Sequence, residues 1–165
     1  MATRKGIIIT VIILGAIAAG SSVAWILPQN HGSSIVVSDY GNELEGVKER
    51  HALIMAAMDA NLKSMLNNTL SPDEFTTMAQ TSSTQTTSLI SELIESNPPA
   101  QWRESYLNYA EALKKYNDYL TESISLASKM KSGISPSDLS DEMSKMDSLK
   151  NDTDSFIVKS NETKP

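Results

Sequence analysis

Apolar residues follow two different rules along this chain. From Ile7 to Leu27 no charged residue occurs. At about 1.5 Å of rise per residue such a run reaches roughly 32 Å as a helix, enough to cross the hydrocarbon core of a bilayer. Farther on, apolar positions recur at steps of three and four, the spacing of helices that bury one face.

The second pattern predicts four helices. In the first, Glu43–Asn67, the residues Leu44, Val47, His51, Ile54, Met58, Leu62 and Met65 trace one stripe, with Asn42 and Glu45 placed as a capping box. The second, Pro72–Ser96, opens on Leu70-Ser71-Pro72-Asp73-Glu74-Phe75, where Ser71 caps, Pro72 takes the first helical position and Leu70 meets Phe75 in a hydrophobic staple. The third, Pro99–Lys131, carries a sustained heptad seam of Trp102, Tyr106, Tyr109, Leu113, Tyr116, Leu120, Ile124, Ala127 and Met130, with Gly133 where a C-terminal cap wants it. The fourth, Pro136–Val158, starts from Ser135-Pro136-Ser137-Asp138, a near repeat of the second helix's opening, and offers Leu139, Met143, Met146, Leu149, Phe156 and Ile157. Asp73, Glu74 and Asp138 complement the positive ends of their helix dipoles.

Short connections between long helices favour an up-down order. The expected fold is all-α: a single N-terminal transmembrane helix followed by an antiparallel up-down four-helix bundle. Its divisions are a short cytoplasmic tail (1–6), a transmembrane signal-anchor (7–27), a tether (28–42), the bundle (43–158) and a disordered tail (159–165). Within the tether, Ile35-Val36-Val37 is an apolar interruption placed to pack on the bundle.

Charge gives the span a direction. Arg4 and Lys5 precede it, and all 20 acidic residues follow it. Basic residues stay on the cytoplasmic side, so the N-terminus is expected inside and the bundle outside, with Trp25 at the outer water–lipid boundary. A cleaved secretory signal is the competing reading, with Ser22-Val23-Ala24 as its cleavage site; the chain is then secreted. Small residues in the span, Gly15 with Ala19 and Ala16 with Gly20, have the spacing that lets two membrane helices approach closely, although Gly and Ala are common in such helices anyway.

The acidic exterior argues against nucleic acid and against an anionic lipid surface. With no cysteine, disulfides, thiolate metal sites and lipoprotein anchoring are ruled out. Asn67-Asn68-Thr69, Asn151-Asp152-Thr153 and Asn161-Glu162-Thr163 match the N-glycosylation acceptor pattern, which matters only in a host that glycosylates exported proteins.

Catalytic chemistry has little to stand on. Of the two histidines, His31 lies in the tether and His51 on the core seam of the first helix, where a buried neutral imidazole is the ordinary explanation. The Glu-x-x-His signature of di-iron bundles and the His-x-x-x-His pair of zinc hydrolases are both absent. No catalytic, cofactor-binding or metal-binding residue is assigned, and no cofactor.

The middle of the second helix, Thr81 to Ser88, has no apolar residue. Extending that helix's apolar face sends Ser82, Gln85 and Thr86 toward Tyr109 and Tyr116 of the third helix. This set is read as a polar pocket for a small ligand, as a hydrogen-bonded structural layer, or as a frayed or exposed strip. Tyr119 falls off the seam and is expected at the surface, while Met143 and Met146 suit adaptable packing against the bundle or a partner.

An N-terminal span followed by four amphipathic helices is similar in outline to the four-helix sensor ectodomains of bacterial chemoreceptors and sensor kinases. The sequence runs into neither a second span nor an output domain, so signalling would need a separate membrane partner. The functional expectation is a membrane-anchored, extracytoplasmic, non-enzymatic module for protein interaction or assembly, as a homo-oligomer or with a membrane protein. The alternative is a small-ligand sensing ectodomain working with a separate membrane partner.

Overall fold

The computed structural model describes residues 39–135 and 138–165, all within one compact unit, Ile35–Pro165. Met1–Ser34 form the other unit; the Ile7–Leu27 run, the boundary residues Arg4, Lys5 and Trp25, and most of the tether lie outside the described residues. Among the described residues no helix is long and apolar enough to cross a membrane.

The described chain is helical without strands: α1 Tyr40–Leu66, α2 Pro72–Glu95, α3 Ala100–Lys131 and α4 Ser140–Glu162. Contacts between distant residues fix their directions. Arg50 near the start of α1 meets Glu92 near the end of α2, and Lys131 at the end of α3 reaches Asp73 at the start of α2. Ser105 near the start of α3 bonds Ser160 near the end of α4. The four helices therefore alternate in direction, and the pole where α1 starts, called the tether pole below, also holds the α2–α3 turn and the end of α4.

Local chemistry explains most boundaries. Ser71 and Glu74 form both halves of the expected capping box, satisfying backbone donors that the first turn leaves free. The turns leave through left-handed residues: Asn68 at φ 55°, Asn97 at φ 47° and Gly133 at φ 92°. Asparagine and glycine tolerate that region best.

Three boundaries differ from expectation. α1 starts at Tyr40, inside the predicted tether, because Asp39 caps it by accepting from the Asn42 backbone at 3.1 Å. The Asn42–Glu45 box does not form there, and Gly41 lets the Trp102 ring of α3 close over the first turn; a Cβ at Gly41 would stand 3.3 Å from that ring. α4 starts at Ser140 rather than Pro136: Asp138 donates its N–H to Ser135 in a 3₁₀ turn, and the helix begins after Leu139. At the other end α4 continues to Glu162, so the expected frayed tail from Lys159 is largely helical. Buried Ser160 and the Lys164–Glu45 ion pair at 2.5 Å hold it against α3 and α1.

The core has two parts. Leu44, Val47, Leu89, Leu93, Tyr106, Tyr109 and Leu113 fill the tether pole. Met58, Met65, Phe75, Ala79, Tyr116, Leu120, Leu126 and Met146 fill the far pole. Both sets pack on Ile54.

Candidate functional site

The α1 stripe that buries Leu44, Val47 and Met58 also carries His51 inward, and no part of its side chain reaches solvent (0 % exposed). Nδ1 lies 3.0 Å from the Tyr109 hydroxyl. The imidazole meets Tyr109 edge-on, with centroids 5.8 Å apart, and Tyr116 edge-on at 4.8 Å. Tyr116 in turn stacks on Tyr119 at 5.4 Å. Burial drives His51 down to about 4, keeping the ring neutral at ordinary pH, and drives the Tyr109 and Tyr116 hydroxyls well above their usual range.

On the solvent side of this aromatic row sits Lys48, one turn before His51. Its ammonium lies 5.5 Å from the Tyr109 ring centroid and donates to Asn161 at 2.6 Å and Glu45 at 3.3 Å. Partial burial, reinforced by neighbouring Lys164, lowers Lys48 to about 8. Lys164 holds the Glu45 carboxyl below its usual range.

Of the expected polar set, Ser82, Thr86, Tyr109 and Tyr116 are buried, and Gln85 is half-buried at the margin. Asn117 donates to Thr87 at 3.1 Å, which sets the α2–α3 register and brings Thr86 level with Tyr116. The block from Thr81 to Ser88 is helical throughout. Its hydroxyls fold onto the preceding turn of their own helix, as Thr86 does to Ser82 O at 2.8 Å and Thr87 to Ser83 O at 2.9 Å. His51, read from the sequence as core, is buried against Tyr109 and Tyr116. Two atoms of this group, His51 Nε2 and the Tyr116 hydroxyl, are buried without a hydrogen-bond partner.

Two hollows lie elsewhere among the described residues. One, about 260 Å³, runs between α1 and α4 with α3 as its floor, lined among others by Leu62, Leu66, Leu126, Met143 and Met146, with Lys63 and Asp147 at its rim. The Lys150–Asp59 ion pair at 2.7 Å crosses it, and Tyr119 forms part of its wall. Tyr119 is only 4 % exposed, which corrects its expected place at the surface: the stacked Tyr116 ring draws it inward. Met143 is 36 % exposed, while Met146 is buried. The second hollow, about 160 Å³, lies between α2 and α3 beside exposed Ile94 and Leu107. Neither is lined by Ser82, Gln85, Thr86, Tyr109 or Tyr116.

Among the described residues no group of three or more His, Asp or Glu side chains is arranged to hold a metal ion. A scan against protein-family models and searches of curated proteins and solved structures found no match for this chain.

Proposed function

We propose that the chain is a membrane-anchored, extracytoplasmic, non-enzymatic interaction module that receives an amphipathic helix of a partner protein in the groove between α1 and α4. The observation that supports this reading is the form of that groove. Its α4 wall is apolar and flexible through Met143 and Met146, a composition suited to repacking around a partner. Its rim carries both signs of charge: among the described residues neither Lys63 nor Asp147 forms an ion pair. Two parallel walls of helix, an apolar floor and unpaired rim charges are what a helix-in-groove partner requires. At about 260 Å³ the hollow is also smaller than the roughly 300–1,000 Å³ usual for small-molecule sites.

The test is a photo-crosslinking amino acid placed at Met143 in the full chain, in its own membranes, with the same probe at exposed Glu104 as control. A discrete protein adduct at position 143 and none at 104 supports the proposal. Equal or absent adducts at the two positions reject it.

A small-ligand sensing ectodomain is the second reading, favoured by the unpartnered His51 Nε2 and Tyr116 hydroxyl. Native mass spectrometry of the full chain, showing an extra mass that His51→Leu removes, would support it.

A further inference from the structure

The three Asn-x-Thr triplets are equivalent as sequence and very different as surface. Asn67, Asn68 and Thr69 are all exposed, in the turn that joins α1 to α2 at the pole far from the tether. Asn67 ends α1, and Asn68 turns the chain through φ 55°, so the triplet protrudes from the helix ends. Thr69 donates its hydroxyl to Ser64 O at 2.9 Å and is itself exposed.

The other two triplets are built into α4. Asn151 is exposed, but Thr153 is 1 % exposed and turns its hydroxyl to Leu149 O at 2.9 Å. Asn161 Oδ1 already accepts from Lys48 at 2.6 Å, and Thr163 accepts from Asn108 at 3.3 Å while donating to Lys159 O at 2.8 Å. The acceptor pattern specifies a hydroxyl two residues after the asparagine, so a transferase must reach both side chains. Asn161 is itself exposed and Thr163 half-buried, so only the first triplet has both its Asn and its Thr exposed.

We propose that Asn67 is the acceptor of an N-linked glycan. The donor is a saccharide carried on a lipid phosphate. The Asn67 amide nitrogen bonds to the sugar's anomeric carbon, the carbon–oxygen bond to phosphate breaks, and the lipid phosphate leaves with that electron pair. The nitrogen gives up one proton to a base of the transferase, and nothing is oxidised or reduced. The glycan stands beside Leu66, at the end of the α1–α4 groove, so it bounds that groove on the far pole. The proposal rests on the bundle lying outside the cytoplasm.

The experiment uses the full chain purified from the membranes of its own host. Intact-mass and glycopeptide measurements are made on the wild type, Asn67→Gln, Thr69→Ala, Asn151→Gln and Asn161→Gln. The expected result is a saccharide mass on the Asn67 peptide, lost in Asn67→Gln and Thr69→Ala and kept in the two α4 variants. A saccharide that survives Asn67→Gln, or no saccharide in the wild type, overturns the proposal. Because the chain has no cysteine, Glu104→Cys gives a single thiol for a membrane-impermeant maleimide on intact cells. Labelling without a saccharide rejects the glycan and leaves the placement standing. A protected thiol rejects the placement, and the glycan with it.

Discussion

Stability should fall as the pH is lowered from 7.5 to 5.0, and His51 should be the cause. In the unfolded chain the imidazole titrates near its ordinary 6.5; in the bundle, burial lowers it to about 4. Between those values the unfolded chain binds the proton and the folded one does not, so stability rises with pH. The contribution is complete above 6.5 and disappears as the pH falls toward 4. At about 1.4 kcal/mol per pKa unit the full span is worth about 3.5 kcal/mol, of which about 2 kcal/mol is lost by pH 5.0. Few other groups interfere in that window. His31 is common to wild type and the variant below and drops out of their comparison, Glu45 and Glu74 are held below the usual carboxylate range, and burial raises Glu43, which acts in the opposite sense. Urea unfolding of the full chain in mild detergent, followed by circular dichroism at the two pH values, measures the effect. With a slope on the order of 2 kcal/mol per molar urea, the midpoint should drop by about 1 M. His51→Gln keeps a polar side chain near Tyr109 and cannot titrate, so its midpoint should be nearly independent of pH over this range. An equal drop in wild type and variant would refute the assignment.

Three further outcomes follow from the same packing. Tyr116→Phe removes a buried hydroxyl with no partner and should stabilise by about 1 kcal/mol, whereas Tyr109→Phe strands His51 Nδ1 and should cost about 1–2 kcal/mol, both read from thermal melts. Gly133→Ala meets no atom within 4 Å, so its cost is the backbone's alone at φ 92°, about 1 kcal/mol in chemical denaturation. Ser71→Ala removes one half of the α2 capping box and should lower stability by about 1 kcal/mol, with Ser71→Asp restoring most of it.

The parts of this fold that were legible are those where the signal is local or apolar. The Ser71–Glu74 box needs only four residues, and the α3 seam of Tyr106, Tyr109, Leu113, Tyr116 and Leu120 is buried as its heptad spacing predicts. The near repeat at Ser135 misled because Asp stands where the second helix has Glu. A side chain one methylene shorter is a poorer match for the box, and the chain makes a 3₁₀ turn at Asp138 before α4 begins. The α1 start was misplaced by one turn because Asp39 and Asn42 are both good caps. Choosing between them depends on Trp102, sixty residues away, closing over Gly41.

The α3–α4 interface was the least legible part, and its chemistry explains why. On α4 the buried positions are Met146, Thr153 and Ser160, spaced by seven; on α3 the facing set includes Ser105, Ala112, Tyr119 and Leu126, also spaced by seven. Most of these are small or hydroxylated, so a search for apolar stripes passes over them. Small side chains let two helices approach closely, and Ser105 donates to the Ser160 carbonyl at 2.6 Å, a contact that bulkier residues would prevent. The same logic bears on the groove. At the far pole α4 carries Met143 and Met146, which line the hollow between α1 and α4. The two halves of α4 thus differ: methionines line the hollow at the far pole, while Phe156, Ile157 and the small Ser160 pack into the bundle at the other. Its C-terminal half packs on α3 through Ser160, and its N-terminal half forms one wall of the groove.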